Sequence, residues 1–227
     1  MSVHLHVRSC YTLLQSTMTI QKIVDSAKRY GYHAVALCDK EVMHGAMAFY
    51  HMAKKADIQP IFGMEVEVAE EEGIFGFILL AKNDNGYQAL MKLSTMLNTK
   101  ERKEQLTMEE LLTYTKDCVV LTNGDQNQME TYLIKEEMEH LAAFLQRCKE
   151  SFATFYVAIS RNDSPLLRQK NRLLKALCQQ MQIPTTALSR IYFDEAKGEE
   201  SYKTLCAINQ GVSLDDKMLN YSPKRYF

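Results

Sequence analysis

Two imidazoles near the start of the chain are the residues best placed to do chemistry. Val3-His4-Leu5-His6-Val7-Arg8-Ser9 alternates strictly, with Val3, Leu5 and Val7 on one face and His4, His6 and Arg8 on the other. A period of two predicts a β-strand with one buried apolar face and one face carrying nitrogen ligands or charges. Two imidazoles on one strand face, closely followed by a loop, suit a metal ion that activates water. Arg8 is the exception. A permanent cation cannot ligate a metal, and it stands where a third imidazole would complete the row. The other polar residues at predicted strand ends are Asp39, Glu65 and Arg190.

The elements that must hold these residues follow from periodicity. A helix from about Thr19 carries Ile20, Ile23, Val24 and Ala27 at helical spacing and stops at Gly31. Ala34 to Cys38 is a continuous apolar run, the sign of a strand buried on both faces. A second helix spans about Gly45 to Ala56, and a third strand runs from Ile58 to Val68 with Pro60 near its start. The acidic turn Glu70 to Gly73 leads to a fourth strand at Phe77 to Ala81, and Asn83 to Leu97 reads as an amphipathic helix. Thr107-Met108-Glu109-Glu110 is a capping box, the start of a short helix. Further strands are expected at Cys118–Thr122, Thr154–Ile159 and Pro184–Leu188. Helices are expected over 126–135, 137–150, 166–181 and 194–209, and the tail from Ser213 to Phe227 shows no pattern. Seven short strands interleaved with helices predict βα units and a parallel sheet. No G-x-G-x-x-G follows the first strand, which argues against a dinucleotide fold. The polar residues fall at strand C-terminal ends, where a barrel keeps its chemistry, so a distorted seven-stranded parallel (β/α)7 barrel is expected.

Bulk composition excludes several classes. The 227 residues carry 27 basic and 28 acidic side chains, a net charge of -1, so strong nucleic-acid binding by this segment is not expected. No apolar run approaches the roughly 18 residues of a membrane span, and no signal-peptide core opens the chain. Six cysteines, widely spaced and without a C-x-x-C pair, argue against a zinc knuckle or redox motif. They fit reduced thiols in a cytoplasmic protein.

The first strand, Leu37-Cys38-Asp39, Gly45 to Tyr50, and Pro60 to Glu65 resemble, in order, the polymerase and histidinol phosphatase (PHP) domain. The likeness is to the PHP domain that opens the alpha subunit of bacterial DNA polymerase III, the C-family replicative polymerase. Leu79-Leu80-Ala81-Lys82-Asn83, Gly86-Tyr87 and Leu90-Met91-Lys92-Leu93 form a block typical of that subunit. The resemblance runs from Val3 to about Gln210 and implies the TIM-barrel-like PHP fold. It also implies a single PHP domain over 1–210. Residues 211–227 would then be a linker toward a polymerase body absent from this chain.

Family members with the ancestral site use His, Asp and Glu to hold two or three metals, often zinc. Carried over position by position, His6 and Glu65 match ligands, and Asp39 and His4 belong to the same vestigial set. The remaining ligand positions fall on Arg8, Gln15, Lys40, Gly76, Arg190 and Tyr192, with a looser match at Asn162. The resemblance therefore implies a degenerate site without a catalytic residue or metal. Beyond the family, unpaired buried carboxylates cost several kcal/mol per ion, so Arg8, Lys40 and Arg190 are expected to act as internal counter-charges to Asp39 and Glu65. The expected role is structural and partner-binding, within a parent chain that is a magnesium-dependent DNA-directed DNA polymerase. Implied partners are the rest of the alpha subunit, clamp-associated replisome proteins and a separate proofreading exonuclease. DNA would be reached through the parent, and no membrane is involved. The competing reading is a 3′–5′ exonuclease or phosphoesterase holding zinc or manganese on His4, His6 and Glu65. A free-standing sugar-phosphate phosphatase is disfavoured by the block at Leu79 to Leu93.

Overall fold

The computed structural model describes residues 3–99, 105–123, 128–160, 165–221 and 226–227. In chain order, the first elements are β1 (His4–Val7), α1 (Ile20–Arg29), β2 (Ala34–Lys40), α2 (Ala46–Lys55), β3 (Gln59–Glu70) and β4 (Gly73–Ala81). There follow α3 (Asp84–Asn98), α4 (Met108–Leu112), β5 (Cys118–Thr122), α5 (Gln128–Lys135), α6 (Met138–Ser151) and β6 (Phe155–Ser160). The last are α7 (Pro165–Gln180), β7 (Thr185–Leu188), β8 (Arg190–Ile191) and α8 (Glu199–Gln210). Contacts divide the chain into two units, Met1–Met64 with Ser189–Phe227, and Glu65–Leu188.

In the first unit the hydrogen-bonded order is β3-β2-β1-β8. β1 runs parallel to both neighbours, with His6 opposite Arg190 and Val7 opposite Ile191 on the β8 side. On the β2 side, His4 pairs with Val35 and Val7 with Leu37, so three steps on β1 meet two on β2. That irregularity breaks the strict alternation expected from the sequence, and His6 and Val7 are both fully buried. The helix α1 begins where its sequence predicts and buries the expected stripe of Ile20, Ile23, Val24 and Ala27; the Thr19 hydroxyl caps it by accepting from the Lys22 amide. They pack with Val35, Leu37, Phe49 and Ile191. Burying each such aliphatic side chain contributes about 1.5–3 kcal/mol.

In the second unit the order is β3-β4-β5-β6-β7. The all-parallel expectation is corrected here. β4 runs antiparallel to β5, from Phe77 opposite Thr122 to Ala81 opposite Cys118. Only Glu71 and Glu72 separate β3 from β4, a connection too short for a parallel crossover. β5, β6 and β7 are parallel. Phe75 stacks on Phe144 at 3.9 Å between ring centroids and Phe77 meets Phe152 edge-on, holding α6 against the sheet. The capping box forms at Thr107 and Glu110 as read from the sequence.

β8 is an eighth strand where seven were expected, and at two residues it is too short to show a period. The described part of the tail is also ordered against the first unit. Gly211 closes α8 in the left-handed region at φ 66°. The Gln210 side chain exchanges two hydrogen bonds with the Asn220 backbone. Leu219 and Tyr221 pack on Tyr192, Phe193, Tyr202 and Cys206. Phe227 stacks parallel to Tyr30.

All six cysteines are free thiols, and only Cys10 is exposed. Burial pushes the Cys118 and Cys178 thiols up to about 11 and Cys148 up to about 12, which suppresses the reactive thiolate. Titration of the native chain with a disulfide reagent at neutral pH is expected to show one fast thiol, lost in Cys10→Ser. A second fast thiol in that variant would contradict this burial.

Candidate functional site

Each unit carries its own buried polar cluster. In the first, β1 ends at Val7 and the chain turns through Arg8-Ser9. Asp39, near the end of β2, is 1% exposed and collects three hydrogen bonds from that turn. Its Oδ1 accepts from the Ser9 amide at 2.7 Å and the Thr12 hydroxyl at 2.8 Å, and its Oδ2 accepts from the Ser9 hydroxyl at 2.7 Å. The same hydroxyls accept in turn, Ser9 from the Tyr11 amide and Thr12 from the Lys40 amide. Burial pushes the Asp39 carboxyl above its ordinary range, opposed by the Ser9 and Thr12 hydrogen bonds and, least, by the charge of Arg8.

The same unit buries two guanidinium groups, of which Arg8 acts electrostatically on Asp39. Arg8 donates to Gln15 Oε1 at 2.7 Å and lies 5.0 Å from the Tyr192 ring centroid, a cation–π distance. Arg190 donates to the Tyr192 hydroxyl at 3.3 Å. Ser16 ties the loop down by donating to the carbonyls of Arg8 and Tyr192 at 2.7 and 2.9 Å. Tyr192 in turn packs on Tyr202. Four positions of the expected ligand row, Arg8, Gln15, Arg190 and Tyr192, are thus gathered into one group of cation, amide and phenol.

In the second unit, Glu65 is 1% exposed and Asn123 3% exposed. Asn123 Nδ2 donates to Glu65 Oε1 at 3.4 Å. The Asn123 backbone amide donates to the Gly76 carbonyl, and its side chain lies directly over Gly76. A Cβ at position 76 would sit 1.9 Å from Asn123 Nδ2 and 2.3 Å from its Cγ. A side chain at 76 and the Asn123 amide cannot coexist as built.

His6 is fully buried at the end of β1, opposite Arg190. His4 goes elsewhere. Its Nε2 lies 3.2 Å from the Tyr32 hydroxyl, and its ring meets Tyr32 and Phe227 edge-on. Burial holds its pKa below 6.5. Lys40 is half-buried. Asn162 lies outside the described residues. Asp39 accepts its hydrogen bonds from Ser9 and Thr12, and the charge of Arg8 acts on it as well. Sequence reading missed Ser9, Thr12, Ser16 and Asn123. The hydroxyl cluster Ser9-x-x-Thr12 just after a strand was the available signal, whereas Asn123 carried none. Among the described residues no group of three or more His, Cys, Asp or Glu is arranged to hold a metal ion. No helix among them is long and apolar enough to cross a membrane.

A PHP domain family model matches residues 4–162, and the chain belongs to that family. The DNA polymerase III subunit alpha of Halalkalibacterium halodurans is 33% identical over 219 residues, 95% of this chain and 19% of that protein. The Bacillus subtilis subunit is 32% identical over 221 residues, 94% of this chain and 19% of its own length. The chain spans about a fifth of the length of these curated relatives. An amidohydrolase from Chromobacterium violaceum with bound sulfate and no metal superposes with a TM-score of 0.58 at 10% identity, covering 85% of this chain and 88% of that one. A putative metal-dependent phosphoesterase from Bifidobacterium adolescentis gives 0.53 at 11%, covering 82% and 86%. These likenesses show the fold, the α/β, TIM-barrel-like PHP fold; the described residues form eight strands.

Proposed function

We propose that this chain is the PHP region of a bacterial replicative polymerase alpha subunit in which the metal site has been replaced by protein charges and amides. Its work is then architectural: it supports the polymerase body and offers surface to replication partners in the cytoplasm. The parent chain carries out template-directed nucleotidyl transfer with magnesium, reaches DNA through its other parts, and works with clamp-associated proteins and a separate proofreading exonuclease. The domain would end near 210, with 211–227 leading toward that body.

The observation that carries this reading is the buried group of Arg8 and Arg190 around Tyr192. Fixed guanidinium charges repel a divalent cation and supply no lone pair. The residues present do not fit a metal cluster: Asp39 is committed to Ser9 and Thr12, and His4 to Tyr32 and Phe227. The test is a 3′-labelled single strand incubated with the chain and added zinc or manganese. No cleavage is expected. Cleavage abolished by His6→Ala would overturn the reading in favour of a reduced exonuclease site on His4, His6 and Glu65.

A further inference from the structure

The outer face of α2 is the strongest unassigned surface in the first unit. Ala46, Phe49 and Ala53 face the core, which turns Met47, Tyr50, His51 and Lys54 outward, with His44 just before the helix and Lys55 at its end. Spacings of three, four and seven place His44, Met47, Tyr50, His51 and Lys54 on one stripe. Met47 is 60% exposed, large for an unbranched apolar side chain on a helix. Lys54 lies 5.9 Å from the Tyr50 ring centroid, and Tyr50 meets His51 at 5.5 Å. Between Glu41 and Asp57 the chain has no carboxylate.

The loop after β1 continues this surface. Tyr11 lies against the helix start: its ring is 6.4 Å from His44, and its Cδ2 is 3.0 Å from where a Cβ on Gly45 would sit. Leu13 is 78% exposed and Leu14, also exposed, has φ 58°, in the left-handed region. A non-glycine residue there carries strain that the turn must hold in place. The Asp39 hydrogen bonds to Ser9 and Thr12 fix the first half of this loop. Exposed apolar groups thus flank the start of α2, and exposed lysines stand in its last turn.

We propose that this face docks an acidic, leucine-bearing helical segment of a partner protein. The apolar groups of such a segment would cover Leu13, Leu14 and Met47, and its carboxylates would meet Lys54 and Lys55. Contiguous exposed apolar groups rimmed by one sign of charge mark binding surfaces, and complementary charge sets their specificity and encounter rate. Single-stranded nucleic acid would use Tyr11, Tyr50 and the lysines by stacking, but it leaves the two leucines and Met47 unused. The aliphatic content therefore favours a peptide. This proposal deepens, and rests on, the reading of the domain as a partner-binding module.

The test is fluorescence anisotropy with the 227-residue chain and a labelled helical peptide of roughly 16 residues, leucine on one stripe and glutamate elsewhere. A scrambled peptide of equal composition and a labelled oligothymidine serve as alternative probes. The ordered peptide is expected to bind, more weakly as salt rises. Lys54→Glu with Lys55→Glu should weaken it by about tenfold or more, and Met47→Ala by several-fold. Circular dichroism confirms that each variant folds. Equal binding by the scrambled peptide, binding of oligothymidine alone, unchanged affinity in the lysine variant, or no binding would each overturn docking. Metal content is read separately. A metal-holding chain that still binds the peptide contradicts the degenerate site, and a metal-free chain that ignores it contradicts the docking face.

Discussion

Replacing Asp39 with alanine is expected to destabilise the chain by about 2–4 kcal/mol, the largest effect of any single side chain in the first unit's cluster. The substitution removes the acceptor for the Ser9 amide and for the Ser9 and Thr12 hydroxyls. The hydroxyls can rotate toward other acceptors, but the amide cannot. The loss spreads because those hydroxyls also accept the amides of Tyr11 and Lys40. Asp39→Asn separates shape from charge. Burial raises the carboxyl pKa above 3.8 in the folded chain, so the folded state holds this proton more tightly than the unfolded state. Its contribution to stability is full below 3.8 and is lost as pH rises through the folded value. The difference in urea-unfolding free energy between wild type and Asp39→Asn should therefore fall across that window. Parallel profiles for the two proteins would show that Asp39 does not titrate as the fold requires.

Gly76→Ala is expected to cost about 1–3 kcal/mol through overpacking, although the change adds one methyl group. The new Cβ would lie 1.9 Å from Asn123 Nδ2, so the amide must leave its place beside Glu65. Asn123→Ala removes the obstruction. The pair should therefore couple, with Gly76→Ala costing at least about 1 kcal/mol less in the Asn123→Ala background. Additive effects in a double-mutant cycle of denaturant midpoints would contradict the close approach. The coupling has a consequence for any metal site engineered here, because a histidine placed at 76 alone would meet the same amide.

Much of the scaffold was legible because it repeats. The α1 stripe follows from apolar residues at helical spacing and the Thr107 capping box from side chains within one turn, and both formed. The Ala34 to Cys38 run gave β2 because burial on both faces leaves a continuous apolar run. The direction of β4 was misread, since an acidic turn between two apolar runs resembles a loop before a crossover until its length, two residues, is fixed. The break in β1 alternation was hidden because the residue types alternate even though the backbone does not. Arg8 could be flagged from its type and place in the row. Its neighbours Gln15 and Tyr192 were legible only through the resemblance, which put them in the same ligand row, because a loop and the residue after β8 bring them to it. Asn123 is the clearest case: nothing in its local sequence announces contact with both Gly76 and Glu65.

On the reading proposed above, protein charges and amides stand where metals would be held. Elemental analysis of the purified chain, after exposure to zinc and manganese and removal of loosely held ions, tests it most directly. Less than about a tenth of a metal per chain is expected, because among the described residues no group of three or more His, Cys, Asp or Glu is arranged to hold an ion. One or more tightly held ions per chain, lost in His6→Ala or Glu65→Ala, would contradict it.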